Sequence, residues 1–330
     1  SVFYPYVADH MRGAYLDVPE LLTRRQPVET PADVEAFLSR VAQFAGAIDD
    51  DRRRLEADAL AGVLPPAPVL ARMQVLAAAG ALETPETSFM VQTFDNLLAG
   101  VEGLPADARA RQSERLRDIL TEDVVPAYAR FAETLTKLAE SAPTEPGVWQ
   151  LDGGDAYYRA ILDAYTGTRE TPAELHARGE ADVKRLTAEL DTALAAAGLP
   201  DGTVQERLVF LGQQPGQVYE DSDLGRAALI ERLTLLTTRA SRVVQDQIGT
   251  PPSGAVTVSM VPVAFSAASP SAVYTPRTAD GRNPARFEIN LTRLADWPDY
   301  SLPTLVYHET LPGHHLESGI ASEQAGLPLA

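Results

Sequence analysis

Between about residues 31 and 249, apolar side chains return every three to four positions over stretches too long for strands. That period confines this part of the chain to α-helices that each bury one face. Thr30 and Pro31 supply an N-cap followed by proline at the first helical position. Val34, Phe37, Leu38, Val41, Phe44, Ala45 and Ile48 then share one face. Leu64-Pro65-Pro66-Ala67-Pro68 interrupts the pattern and starts a new helix. Further helices are expected near 70–82, 86–99, 106–120, 122–141 and 155–165. Thr171-Pro172 opens a long one with Val183, Leu186, Leu190 and Leu194 in phase, closed by Gly198-Leu199-Pro200. Another runs from about 222 to 248 with Leu229, Leu233, Leu236, Ala240, Val243 and Gln247 in register, and Gly249 stops it. The run Asp49-Asp50-Asp51-Arg52-Arg53-Arg54 reads as a solvated face whose charges compensate one another. No short-period repeat of the solenoid kind is present.

After Thr250-Pro251-Pro252-Ser253-Gly254 the pattern changes. Residues 255–261 alternate and are rich in valine, which predicts a strand. A second extended stretch covers 272–275, a turn containing Asp280, Gly281, Asn283 and Pro284 follows, and a third strand is expected over 286–291. In that third stretch Phe287, Ile289 and Leu291 point one way, Glu288 and Asn290 the other. Ser301-Leu302-Pro303 then begins a helix carrying Leu305, Val306 and Tyr307. The expected fold is therefore mainly α (α+β), with a helical domain over 1–250 forming a cleft wall. A small sheet and a functional helix occupy 251–330.

The 330 residues carry a net charge of −18, which argues against nucleic acid and anionic membranes as partners, since both need a basic face. No apolar run approaches the roughly 18 residues of a spanning helix. The opening Ser1-Val2-Phe3-Tyr4 is neither a signal peptide nor an initiator start. A soluble protein is expected, with the cytoplasm slightly favoured as its location. Cysteine is absent, which removes disulfides, thiolate catalysis and thiolate metal sites. Any metal must be held by His, Asp or Glu, and three of the five histidines, His308, His314 and His315, fall within 308–315.

That segment reads Tyr307-His308-Glu309-Thr310-Leu311-Pro312-Gly313-His314-His315-Leu316-Glu317. In the zincin pattern H-E-x-x-H, two histidines four apart on one helix face bind zinc, and the intervening glutamate takes a proton from the attacking water. Here the residue four after His308 is Pro312. In an unbroken helix His314 would lie about 240° around from His308, and His315 would lie ~10 Å farther along the axis. Neither could share a metal whose bonds to nitrogen are about 2.0–2.1 Å. Pro312 breaks the helix, because it has no N–H for the carbonyl of His308 and its ring clashes with that carbonyl. Gly313 then adopts backbone angles that other residues avoid. A bulge of two extra residues hands the second ligand position to His314, and a bulge of three hands it to His315.

The segment resembles the H-E-x-x-P-G-H-H motif of a bacterial family of largely uncharacterised zincin-like proteins, classed as gluzincin-type metallopeptidases. The resemblance extends through Phe287-Glu288-Ile289-Asn290-Leu291, the Leu302-Pro303-Thr304-Leu305 lead-in and the helical region before them. Metallopeptidases similar to thimet oligopeptidase use H-E-F-G-H, and dipeptidyl peptidase III uses H-E-L-L-G-H. Alignment on the shared Gly-His pair again favours His314. The resemblance implies a third ligand, a Glu from a further helix well beyond residue 330. Glu317 and Glu323 lie too close to the motif for that role, so the sequence is expected to be the N-terminal portion of a longer protein.

The expected activity is that of a zinc metallopeptidase on short peptides, with His308 and His314 as ligands of Zn2+ and Glu309 as general base. His315, Tyr274 and Asn290 are candidate site neighbours, and Arg282 and Arg286 lie in the same sheet region. An extended peptide would pair with the sheet near 287–291 by strand addition. The alternatives are a metal-dependent hydrolase of non-peptide amides or esters, and a catalytically silent binding protein on the same scaffold. His10 and His176 have no partner at metal-ligand spacing and read as surface or packing residues.

Overall fold

The computed structural model describes residues 4–249, 252–278, 281 and 283–324. The chain divides into two compact units, Ser1–Pro172 and Ala173–Ala330, so the compositional change at 250–254 lies inside the second.

The first unit contains α1 (Ala14–Arg24), α2 (Pro31–Leu60), α3 (Ala67–Ala81), α4 (Phe89–Gly100), α5 (Ala106–Ile119), α6 (Val125–Ala139) and α7 (Gly154–Thr166). A π-helical turn, Leu120–Val124, joins α5 to α6. The Thr30 hydroxyl accepts the N–H of Asp33 while the Asp33 carboxylate accepts that of Thr30, a reciprocal cap that starts α2 where the sequence places it. Val34, Phe37, Leu38, Val41, Phe44 and Ile48 are buried along its inner face. Phe37 stacks on Phe94 of α4 with ring centroids 4.6 Å apart, a favourable offset aromatic geometry. The acidic–basic run near residue 50 is more than a solvated face. Asp49 accepts hydrogen bonds from Arg52 and from Arg130 of α6, and Asp51 accepts the N–H of Ala14 at the start of α1 at 2.6 Å. Helix α1 escaped the sequence reading because Pro19 lies inside it and hides its period.

The second unit begins with α8 (Pro172–Ala196), α9 (Val204–Gly212) and α10 (Asp223–Ile248). Then follow β1 (Val256–Met260), the single turn α11 (Val263–Ser266), β2 (Ala272–Thr275), β3 (Ala285–Ile289), α12 (Leu302–Glu309) and α13 (His314–Glu323). The molecule is mainly helical with one small sheet, the expected α+β class. Among the described residues no helix is long and apolar enough to cross a membrane.

On α8, Leu194 is buried, but Val183, Leu186 and Leu190 are exposed, because the described chain lays nothing over their stripe. Near the end of α10, Val244 takes the buried place and Val243 is exposed.

The sheet has the order β1-β3-β2. β1 runs parallel to β3 with Val258 opposite Phe287, and β2 runs antiparallel to β3 with Tyr274 opposite Phe287. The third strand in sequence is therefore central, with both of its hydrogen-bonding edges occupied. Among the described residues β3 offers no free edge to an added peptide strand at 287–289, where the pairing was expected, and the outer edges of the sheet belong to β1 and β2. Phe287 and Ile289 pack with Leu229, Leu233 and Leu236 of α10 and with Leu302 and Val306 of α12 in one apolar cluster. The sheet and α10 thus fix α12, the helix that carries His308 and Glu309. Arg282 and Asp280 lie outside the described residues, as does the Thr250-Pro251 part of the predicted linker.

Candidate metal centre

The approach to α12 is pinned by charge. The Asp299 carboxylate accepts both Nε and Nη2 of Arg232, at 2.9 and 3.0 Å, and the Tyr219 hydroxyl at 2.9 Å. The Arg232 hydrogen bonds hold the Asp299 carboxyl below its ordinary range. Three residues on, α12 starts with Pro303 in its first turn, where the missing N–H costs nothing. Leu302 and Val306 are fully buried and orient the helix.

The helix stops at Glu309 and resumes at His314. The Thr310 N–H still bonds the Val306 carbonyl, in the helical manner. The Gly313 N–H instead reaches the Tyr307 carbonyl at 2.9 Å, six residues back. A regular helix would connect it to residue 309, four back. Two residues have therefore been looped out, around a cis Leu311–Pro312 peptide. The backbone at Gly313 closes onto α12 so tightly that a Cβ there would lie 1.9 Å from the His308 carbonyl oxygen. Gly313→Ala is accordingly expected to destabilise the protein by about 1–3 kcal/mol, since the added methyl meets main-chain atoms that cannot rotate away. A urea midpoint equal to that of the unsubstituted protein would show that the helix break relaxes freely.

This break brings together side chains that a straight helix would separate. The His308 and His314 rings lie 4.7 Å apart, centroid to centroid, at 82° to each other. Glu309 is buried, 8% exposed, and among the described residues no hydrogen bond or ion pair reaches its carboxylate. Its oxygens are not among the buried polar atoms without a partner, so the carboxylate keeps contact with solvent and is open to a bound ion or water.

His315 is differently placed. It is 4% exposed, with Nδ1 2.9 Å from the Tyr274 hydroxyl and Nε2 3.3 Å from the Gly254 carbonyl oxygen. The carbonyl can only accept, which assigns the proton to Nε2 and leaves Nδ1 to accept from Tyr274. Desolvation pushes the His315 imidazole below its ordinary value and the Tyr274 phenol up to about 12, so both are neutral at pH 7. Both ring nitrogens of His315 are thus engaged within the protein, whereas the His314 ring faces His308. The Tyr274 ring lies nearly parallel to that of His314, at 19° and 6.2 Å between centroids.

Asn290 is engaged elsewhere. Its amide donates to the Ser266 carbonyl at 2.7 Å, and its side-chain oxygen accepts from the backbone and hydroxyl of Thr292, which organises the loops after β1 and β3. Arg286 lies along β3 with its Nε 3.7 Å from Glu288. Glu317 stands 3.9 Å from Nδ1 of His314, and Glu323 accepts the N–H of Ser253 at 2.6 Å. His176 is exposed beside Glu180. The roles of Gly254 and of the Ser253–Glu323 bond had no signal in the sequence, since both depend on backbone groups distant along the chain.

A family model described as "Bacterial protein of unknown function (DUF885)" matches residues 4–330. No curated protein matches the chain. Among solved structures, one described as "The crystal structure of the putative lipoprotein from Colwellia psychrerythraea" superposes with a TM-score of 0.94 at 27% identity. The match covers 98% of this chain and 55% of the Colwellia chain, so the present chain spans little more than half the length of that protein.

Proposed function

From the premise that the chain belongs to the bacterial family of unknown function DUF885, we propose that it works as a zinc-dependent metallopeptidase on short peptides. The observation that carries this reading is the facing pair His308 and His314 next to Glu309, whose carboxylate no hydrogen bond or ion pair from the described residues reaches. Imidazole and carboxylate donors suit zinc. Among the described residues no group of three or more candidate ligands is gathered at metal distance. The pair therefore fits two ligand positions, and the reading requires a third donor, which the motif resemblance assigns to a glutamate in a later helix.

Bound zinc supplies polarisation of the scissile carbonyl and a more acidic water. His308 and His314 hold it as neutral imidazoles. Glu309 takes the proton of the attacking water and passes it to the leaving amine. An extended peptide pairs with the outer edge of β2, the strand that carries Tyr274 to the histidines, and its amides satisfy that edge. The description of the Colwellia protein as a lipoprotein favours the cell envelope over the cytoplasm as the place of action.

The test is elemental analysis of dialysed full-length protein, followed by profiling against peptides, acyl-amino acids and esters. About one zinc per chain and turnover of peptides are expected. Hydrolysis of esters or acyl-amino acids alone would move the assignment to non-peptide substrates. A protein with no first-row metal, whose thermal midpoint added zinc does not raise, would overturn the reading, because a ligand that binds the native state must stabilise it.

A further inference from the structure

Four rings form a row in the second unit: His308, His314, Tyr274 and His315. The first two meet at 4.7 Å, Tyr274 lies nearly parallel to His314 at 6.2 Å, and the Tyr274 and His315 centroids are 5.8 Å apart. The far end of the row is anchored. His315 is buried, its backbone N–H bonds the Thr310 carbonyl at 2.9 Å, and its ring is held between the Tyr274 hydroxyl and the Gly254 carbonyl. The Gly254 segment is itself tied to α13. Glu323 accepts the Ser253 N–H, and Gly319 lies so close to Pro252 that a Cβ on it would come within 2.2 Å of the proline ring.

We propose that Tyr274 and His315 are positioning residues for His314: the hydrogen bond between them fixes the Tyr274 ring as a brace against the His314 imidazole. His314 sits at the first position of α13, immediately after the helix break at Pro312-Gly313, where no preceding helical turn restrains its ring. A metal-ligating imidazole binds well only when its ring is held in the ligating orientation, and supporting groups supply that restraint. His308, by contrast, lies in the last turn of a helix anchored by Leu302 and Val306. The brace acts on the histidine that needs it. This inference rests on the zinc reading above for its consequence, and on the ring geometry alone for its existence.

The experiment uses full-length protein and zinc, with affinity read by competition against a chelator. Tyr274→Leu and His315→Ala are each expected to weaken zinc binding by roughly 10–100-fold, the scale of lost supporting contacts to a ligand. Tyr274→Phe keeps the ring, loses the tether and falls between these variants and the unsubstituted protein. Because hydroxyl and imidazole act through one bond, the double variant Tyr274→Phe/His315→Ala should bind within about twofold of His315→Ala alone. Additive losses would overturn the proposal. So would an unchanged zinc affinity in a His315→Ala protein whose unfolding midpoint shows it to be folded.

A second readout does not depend on metal. In zinc-free protein the imidazole nitrogen resonances of His315 should report the proton on Nε2, and Tyr274→Phe should shift His315 Nδ1 together with the His314 ring signals. A spectrum in which His314 is unmoved breaks the link between the pair and His314 whatever the zinc result. An unsubstituted protein that binds no zinc would reject the functional reading, while these resonances would still decide whether the brace exists.

Discussion

Glu309→Gln is expected to abolish turnover while zinc content stays within error of the unsubstituted protein. The substitution keeps the shape of a side chain that is buried at the end of α12 and removes only its ability to take a proton. Loss of a general base typically costs about 10²–10⁴ in rate. Packing should tolerate the change, since glutamine is close to isosteric and no described partner of the carboxylate is lost. The measurement pairs steady-state hydrolysis with elemental analysis on the same sample. A variant that loses its zinc together with its activity would make Glu309 a ligand and would require another residue as base. A variant that keeps full activity would remove Glu309 from the chemistry.

His314→Ala is expected to weaken zinc binding by more than the roughly 10–100-fold that loss of a supporting group such as His315 causes. Removing His314 takes away one of the two nitrogen donors that face each other, and nothing nearby replaces it. Glu317, 3.9 Å from Nδ1 of His314, is exposed. His315 cannot substitute without breaking its bonds to Tyr274 and Gly254, which hold its ring in place. Chelator competition is the decisive measurement, because both variants are expected to impair catalysis and activity alone would not separate them. Should His315→Ala lose its zinc while His314→Ala retains it, the ligand assignment is reversed and the row of rings has another purpose.

Local chemistry made much of this molecule legible from its residues. The cap at Thr30, the buried face of α2, the boundaries of β2 and the stop at Gly249 follow from side-chain and backbone preferences within a few residues. Pro312 and Gly313 likewise announce a break inside the motif, because proline cannot donate the missing hydrogen bond. The size of that break stays open between two and three residues in the sequence, and the Gly313-to-Tyr307 bond of the folded chain records it as two.

What the sequence could not determine was which distant groups meet. The spacing of Val183, Leu186 and Leu190 states that α8 has an apolar face, yet says nothing of what covers it. Strand patterning identified three extended segments, but not that the last of them lies between the other two. Pairing order depends on how the α11 connection and the turn after β2 carry the chain across the sheet. Asn290 is a candidate site neighbour from the sequence, and only the folded chain shows that its side chain is taken up by Ser266 and Thr292. His314 and His315 are adjacent and chemically identical. Tertiary structure gives them different surroundings, by burying one between Tyr274 and Gly254, 41 and 61 residues away, and turning the other toward His308. Sequence carries the identity of each donor and acceptor; only the folded chain selects which of them are satisfied internally and which are left to bind.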